Sequence, residues 1–386
     1  MDRPSPPSDD HAAPDASADA ACAPARRRLF KGAVGAGLGL AHAPAVHAAR
    51  PIVMRMQTAW PARDIFHEFA RDFATKLGQL TAGRLRIEVL PAGAVVKAFD
   101  LIDAVSRGAV DAGHGTLSYW TAKNGALGLW GSGPAFGMDA NMLLAWHEHG
   151  GGKALLEEIY KGLDLDVRSF LYGPMPTQPL GWFKKPIRTV DDLKGLRFRT
   201  VGLAAEMFAE LGMRVNSLPA TEIVTAIDRG QLDAAEFNNA TSDRGLGFPE
   251  VARYCLLQSF HQPSEQFEIS VNRTRFARLP AELQTAFATA AQACSAEMSW
   301  KAIDRYSKDY EAMREAGVTF LRTPDTILEA QLKAWAKVIE RRSAQNPMFA
   351  RVATSMESFA KRAGRWQYDT TVDHRLAWNG GTAKPR

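Results

Sequence analysis

Four polar residues between positions 178 and 262 of this 386-residue chain have the types and positions to hold a small anion: Gln178, Arg199, Glu236 and Gln262. Arg199 sits late in the strand-like run "LRFRTV" (196–201), and Glu236 ends "QLDAAE" (231–236). Gln178 precedes "GWF", and Gln262 lies in "SFHQPSEQFE". In an open α/β sheet, ligands lie outside the carboxyl ends of the strands. An arginine at such an end can grip a carboxylate through two parallel charged hydrogen bonds. Taken one at a time, each residue has an equally ordinary reading. A strand arginine is often a surface residue, and a strand-end glutamate often caps a neighbouring loop.

Signals for catalysis are weaker. Asp111, His114 and Ser118 lie close in "DAGHGTLS", but alternating strand side chains do not converge on one point, so His114 reads as structural. His147 and His149 in "WHEHGGG" read as surface helix histidines rather than metal ligands. The chain has no P-loop, no GxSxG elbow, no HExxH and no CxxC, and the sequence points to no enzyme and no structural zinc. Cys22, Cys255 and Cys294 are the only cysteines, and the spacing of the last two does not settle whether they pair.

These residues need two α/β lobes to position them. "PIVMRMQTAW" (51–60) alternates like a strand, and 64–83 places Ile65, Phe66, Phe69, Phe73 and Leu77 on one helical face. A strand, a helix closed by Gly108 and a buried strand follow, which is β-α-β-α-β and implies a mostly parallel sheet. The pattern restarts at 178. The phrase Arg-Gly-x-x-Asp-Ala occurs at 107–112 and again at 229–234, and each copy takes a helix that stops at glycine into a strand. Residues 280–315 carry no glycine and no internal proline. Leu283, Phe287, Ala290, Cys294 and Met298 stripe one face of a helix roughly 54 Å long, enough to pack along both lobes. Two more helices are expected, over 325–344 and near 346–363.

The amino-terminal 49 residues read as an export leader. A Pro/Ala/Ser/Asp-rich extension precedes Arg26-Arg27-Arg28, a weakly apolar Gly32–Ala41 run and Val46-His47-Ala48, a twin-arginine-like pattern whose alternative is an ordinary signal peptide. That leader holds five basic and five acidic residues, so the net charge of +5 belongs to the rest of the chain. A diffuse surplus of this size suits small anions and gives no support to nucleic-acid binding. No run is long and apolar enough for a permanent membrane helix. The boundaries expected are 1–49 leader, 50–172 first lobe, 173–270 second lobe, and 271–386 for the spanning and carboxyl-terminal helices.

"LIDAVSRGAVDAGHGTLSYW", "PAFGM", "DDLKGLRFRTVG", "EIVTAIDRGQLDAAE" and the long helix after "RLPAEL" together resemble the extracytoplasmic solute-binding proteins of tripartite ATP-independent periplasmic (TRAP) transporters, from about 50 to 365. The resemblance implies a two-lobed periplasmic-binding-protein-like α/β fold with a hinge, docking on membrane subunits, and delivery of solute to them. "QPLGWF", "AAEFNNA" and "FHQPSEQFE" are most similar to the branch that binds 2-oxo acids and lactate with a cation. On that resemblance Arg199 binds the ligand carboxylate, and Gln178, Glu236 and the Phe237 carbonyl hold the cation with Gln262 beside them. Tyr119 closes over the ligand, Asn238 lies on the pocket floor, and Trp60, Phe136 and Trp182 form apolar walls. Gln262 stands where the branch has a glutamate. With Arg199, Glu236 and a monoanion the charge sum is −1, which favours Na⁺ or no metal over Ca²⁺, because a second carboxylate about 4 Å away would add roughly 4 kcal/mol of repulsion at an effective dielectric of 20. Glu265 or Glu268 would restore the charge by turning inward. The alternatives are a C4-dicarboxylate or sugar-acid receptor, for which Lys184 or Lys185 would be the second base, and an exported enzyme acting on an acidic metabolite. The segment 365–379 is a candidate homodimer contact.

Overall fold

The computed structural model describes residues 50–378. The expected leader, with Cys22, lies outside the described residues. Eleven strands form two sheets among the described residues. The first holds β1 (Ile52–Thr58), β2 (Leu85–Leu90), β3 (Ala112–Thr116), β4 (Val167–Met175) and, from much later in the chain, β10 (Glu265–Asn272), in the order β2-β1-β3-β10-β4. The second holds β5 (Gly181–Phe183), β6 (Arg197–Arg199), β7 (Arg214–Asn216), β8 (Ala234–Ala235), β9 (Tyr254–Leu256) and β11 (Thr319–Leu321), in the order β11-β9-β5-β8-β6-β7.

The sheets are mixed rather than mostly parallel. β2, β1 and β3 run parallel, but β10 inserts antiparallel between β3 and β4. In the second sheet β7, β6 and β8 are parallel, while β5 runs against both β8 and β9. The expected lobe boundaries at 172/173 and 270/271 therefore fall inside β4 and β10, both of which belong to the first sheet. Between these strands and the second sheet run two connecting segments that are tied together. Thr177 Oγ1 donates to the Pro263 carbonyl at 2.8 Å, and the Gln178 amide N–H to the Gln262 carbonyl at 3.1 Å.

Helix Ile65–Leu80 forms where the apolar spacing required it. Ile65, Phe66, Phe69, Phe73 and Leu77 are buried on one face, and Asp64 caps its start by accepting from the Phe66 N–H at 2.8 Å. The long helix is Ala281–Glu315, 35 residues, and its predicted stripe is buried throughout. Lys301 on it pairs with Glu68 and Asp72 of the first lobe. Eight residues on, Asp309 takes Arg244 and Thr241 of the second lobe. Both lobes are thus fastened to one rigid rod. Helices Asp325–Gln345 and Pro347–Thr370 complete the body. Cys255 and Cys294 are free thiols, each buried. No described helix is long and apolar enough to cross a membrane.

Candidate functional site

The carboxyl ends of β6 and β8 lie side by side, with Arg199 in register with Ala235. Glu236 follows directly, and its N–H donates to the Arg199 carbonyl at 3.2 Å. The adjacency of these two short strands brings the two charges together. Arg199 and Glu236 are each 1% exposed. Arg199 Nε donates to the Leu218 carbonyl at 2.9 Å, and Nη1 donates at 3.0 Å to both the carbonyl and Oε1 of Glu236. Its guanidinium carbon lies 5.6 Å from the centre of the Phe237 ring. The remaining nitrogen, Nη2, is buried with no partner. A buried charged donor is costly to leave unmet, and Nη2 is free to meet an acceptor. Burial pushes the Glu236 carboxyl above its ordinary range, and the Arg199 charge and Thr200 pull it back.

Gln178 faces this pair from the first of the two connecting segments. One end of its amide lies 2.9 Å from Glu236 Oε2 and 3.2 Å from the Phe237 carbonyl oxygen, and the other end lies 2.7 Å from Gln262 Nε2. With its nitrogen toward Glu236, the amide donates to both oxygens and accepts from Gln262. With its oxygen there, three oxygens converge (amide, carboxylate and carbonyl), the donor set of a hard cation. The residues present fit such an ion. Gln262 Oε1 is also buried without a partner.

One group here, His261, has no place among the residues expected from the sequence. His261, fully buried, places Nδ1 2.7 Å from Ser259 Oγ and leaves Nε2 unpartnered. Burial and the Arg199 charge push it down to about 3, so it is neutral. Glu265 does turn inward. Thr116 Oγ1 donates to it at 2.5 Å and Ser118 Oγ at 3.5 Å, and burial pushes its carboxyl up to about 7, with the Glu236 charge adding to the rise. Glu268 is spent elsewhere, accepting from the Tyr160 hydroxyl at 2.6 Å. The buried, unpartnered Nε2 is what identifies His261, and no sequence pattern records that.

The first lobe supplies the cover. Tyr119 packs against Trp60 (5.8 Å between ring centres) and Phe99 (4.7 Å), and its hydroxyl, pushed up by burial, lies within the electrostatic reach of Arg199, Glu236 and Glu265. Trp60 is pinned by donating its Nε1–H to His114 Nδ1 at 2.7 Å, which makes His114 a structural residue, held neutral at about 3 by burial. His147 differs from expectation. It is buried, not at the surface, and accepts from the Trp130 indole at 3.1 Å, while His149 is exposed. Among the described residues no group of three His, Cys, Asp or Glu could hold a metal.

Trp182 and Phe136 were expected as apolar walls. The Trp182 ring sits between Phe248 and Phe320 in the second lobe's own core and donates to Asp243 Oδ2 at 2.8 Å. Phe136 is half-buried in a left-handed turn at φ 52°. Among the described residues, neither makes a ring or polar contact with Arg199 or Glu236. Asn238 is buried, but its side chain accepts from Asn239 at 2.9 Å, and Asn239 in turn caps helix Ala240–Leu246.

The two lobes meet around this centre. The Leu203 N–H of the second lobe donates to Ser132 Oγ of the first at 2.9 Å. Arg199 is therefore enclosed by a closed cleft.

Residues 56–346 match the family model for bacterial extracellular solute-binding proteins, family 7. The chain belongs to this family. It is 32% identical over 320 residues to a monocarboxylate 2-oxoacid-binding periplasmic protein of Nostoc sp. PCC 7120, a match covering 81% of this chain and 85% of that one. Among solved structures it is similar to a TRAP periplasmic solute-binding protein of Colwellia psychrerythraea with bound calcium and pyruvate (27% identity, TM-score 0.79). It is also similar to one of Pseudoalteromonas atlantica with bound sodium and pyruvate (26% identity, TM-score 0.79). Each of these two matches covers 86% of this chain and all of the other. Family members are binding proteins, so the centre is read as a binding site.

Proposed function

We propose that the protein is the periplasmic receptor of a TRAP transporter and captures a small 2-oxo or 2-hydroxy monocarboxylate, such as pyruvate or lactate, together with a cation. The observation that carries the reading is Arg199 Nη2, a buried charged donor with no acceptor, close to the Glu236 carboxylate and the Phe237 carbonyl, whose oxygens both lie within 3.2 Å of one end of the Gln178 amide. Arg199 grips the ligand carboxylate. Gln178 and the Glu236 carboxylate with the Phe237 carbonyl hold the cation, Gln262 orients Gln178, and Asn238 supports the floor through the Asn239 cap. A cation supplies positive charge for the ligand's carboxylate and oxo oxygens. Tyr119 and Trp60 cover the ligand, and lobe closure produces the form that docks on the membrane subunits. The leader at 1–49 exports the chain by a twin-arginine-like route, and the carboxyl-terminal segment beyond 365, with Trp366 and Trp378 exposed, is the surface for a homodimer.

The dicarboxylate alternative needs a second base, and the nearest candidate, Lys184, donates to the Ile227 carbonyl at 2.9 Å. The enzyme alternative needs a general base, and His114 is tied to Trp60. Equilibrium dialysis of purified protein against pyruvate and lactate, with and without Na⁺ or Ca²⁺, tests the proposal. Arg199→Ala is expected to lower pyruvate affinity at least about tenfold, the worth of one charge-assisted hydrogen bond from Nη2. Unchanged affinity would overturn the assignment.

A further inference from the structure

The proposed cage lies in the second lobe, yet its polar network does not end there. The Gln178 amide lies 2.9 Å from Glu236 Oε2 at one end and 2.7 Å from the Gln262 amide at the other, and Gln262 adjoins the carboxyl of Glu265. Glu265 begins β10, a strand of the first sheet, and is 2% exposed. Its partners are the neutral hydroxyls of Thr116 and Ser118 and the Gln262 amide. The ion pair of Arg199 goes to Glu236, and among the described residues Glu265 has no ion pair. A buried carboxylate with neutral partners alone is a costly arrangement, which a nearby cation relieves.

Resting on the cation half of the proposed function, we propose that Glu265 supplies a second negative charge to the cation site and so makes this chain prefer a divalent cation to a monovalent one. With Arg199, Glu236, Glu265 and a monoanionic ligand the sum is −2, which Ca²⁺ neutralises and Na⁺ does not. This reverses the expectation from Gln262, because the charge missing at 262 is present three residues later, on the other lobe. Closure then brings the second carboxylate to the ion, so cation capture favours the closed form.

Coulomb energy scales with ionic charge, so removing one negative charge acts twice as strongly on Ca²⁺ as on Na⁺, and the fold-change is squared. Glu265→Gln is expected to weaken Na⁺ binding about tenfold and Ca²⁺ binding about a hundredfold. The readout is direct calorimetric titration of each ion into chelator-treated full-length mature protein at pH 8 with saturating pyruvate. Equal losses for the two ions, or none, would overturn the proposal while leaving the receptor reading intact. Wild-type protein that binds pyruvate but neither ion would overturn the proposal together with the cation half of the function. A second variant guards against simple misfolding. Gln262→Glu in the Glu265→Gln background moves the charge one amide closer to the cage and is expected to restore the Ca²⁺ preference. A double variant that folds and binds pyruvate but shows no Ca²⁺ preference would also overturn the proposal.

Discussion

Gly202 offers a direct test of whether closure drives binding. It follows β6 in the second lobe, at φ +64°, and faces Ser132 and Ser118 of the first. A Cβ built there would overlap Ser132 Oγ and come within 2.8 Å of Ser132 Cβ and 3.3 Å of Ser118 Cβ. In Gly202→Ala the left-handed backbone costs about 1 kcal/mol whether the lobes are open or shut. The overlap exists only when they are shut. To relieve it the lobes must part, which breaks the 2.9 Å bond from the Leu203 N–H to Ser132 Oγ and leaves that donor unmet. A lost bond plus a stranded donor amount to about 2–3 kcal/mol charged to the closed state alone. Pyruvate affinity should therefore fall roughly 30- to 150-fold, while unfolding free energy falls by only about 1 kcal/mol. Calorimetry reads the first and urea denaturation the second. Ser132→Gly in the same background removes the obstructing atoms and should recover most of the affinity. If Gly202→Ala binds pyruvate like the wild type, ligand capture does not require the lobes to meet here, and the closure mechanism is wrong.

Two further outcomes follow from buried groups around the cleft. Burial raises the Asp64 carboxyl to about 6, and the folded protein then binds more protons than the unfolded chain between about pH 4 and 6. The stability linked to that proton is full below pH 4 and lost as pH rises through 6. Asp64→Asn keeps an amino-terminal cap without the charge, so its stability relative to wild type should increase from pH 4 to pH 8, and a pH-independent difference in urea melts would refute the shift. Trp60→Phe removes the donor to His114 Nδ1 and leaves a buried acceptor unmet, which should cost about 1–3 kcal/mol in urea denaturation, with no cost if that bond carries no weight.

The long helix, the first-lobe helix at 65–80 and the strand-end arginine were legible in the sequence because each depends on a local period or spacing. The first-sheet strands next to the crossings between the lobes were not. β10 reads Glu-Gln-Phe-Glu-Ile-Ser-Val-Asn, yet all eight residues are buried. Its polar side chains are each paid for by a distant partner: Gln266 by the Ala140 carbonyl, Glu268 by Tyr160 and Asn272 by the Val105 and Ser106 carbonyls. Local alternation cannot announce a strand whose polar residues face inward. For the same reason Glu265 could be named only as a candidate until its strand was placed. The packing of Trp182 between Phe248 and Phe320 was equally illegible, because an aromatic residue near a site residue in sequence is free to serve the core as well.

The repeated Arg-Gly-x-x-Asp-Ala phrase shows what the two lobes share and where they part. In each, the aspartate accepts from the backbone N–H of the neighbouring strand: Asp111 from Arg55 at 2.7 Å, Asp233 from Arg197 at 2.8 Å. In each, its own N–H returns to the same residue's carbonyl at 2.9 Å. The register that follows is also shared, with Gln57 opposite Gly113 in the first lobe where Arg199 lies opposite Ala235 in the second. His114 then occupies the place of Glu236. The first lobe fills these positions with neutral groups that are already engaged. The Gln57 amide is bonded to the backbone of Val95 and Val96, and His114 Nδ1 accepts from Trp60. The second fills them with a buried ion pair that keeps one donor in reserve. A ligand with one carboxylate needs one such arginine, and a second buried charge without a counterpart would cost several kcal/mol. Because Gln57 is occupied, the first lobe has no cation at the matching position for a second carboxylate, and that favours a monocarboxylate over a dicarboxylate as the ligand.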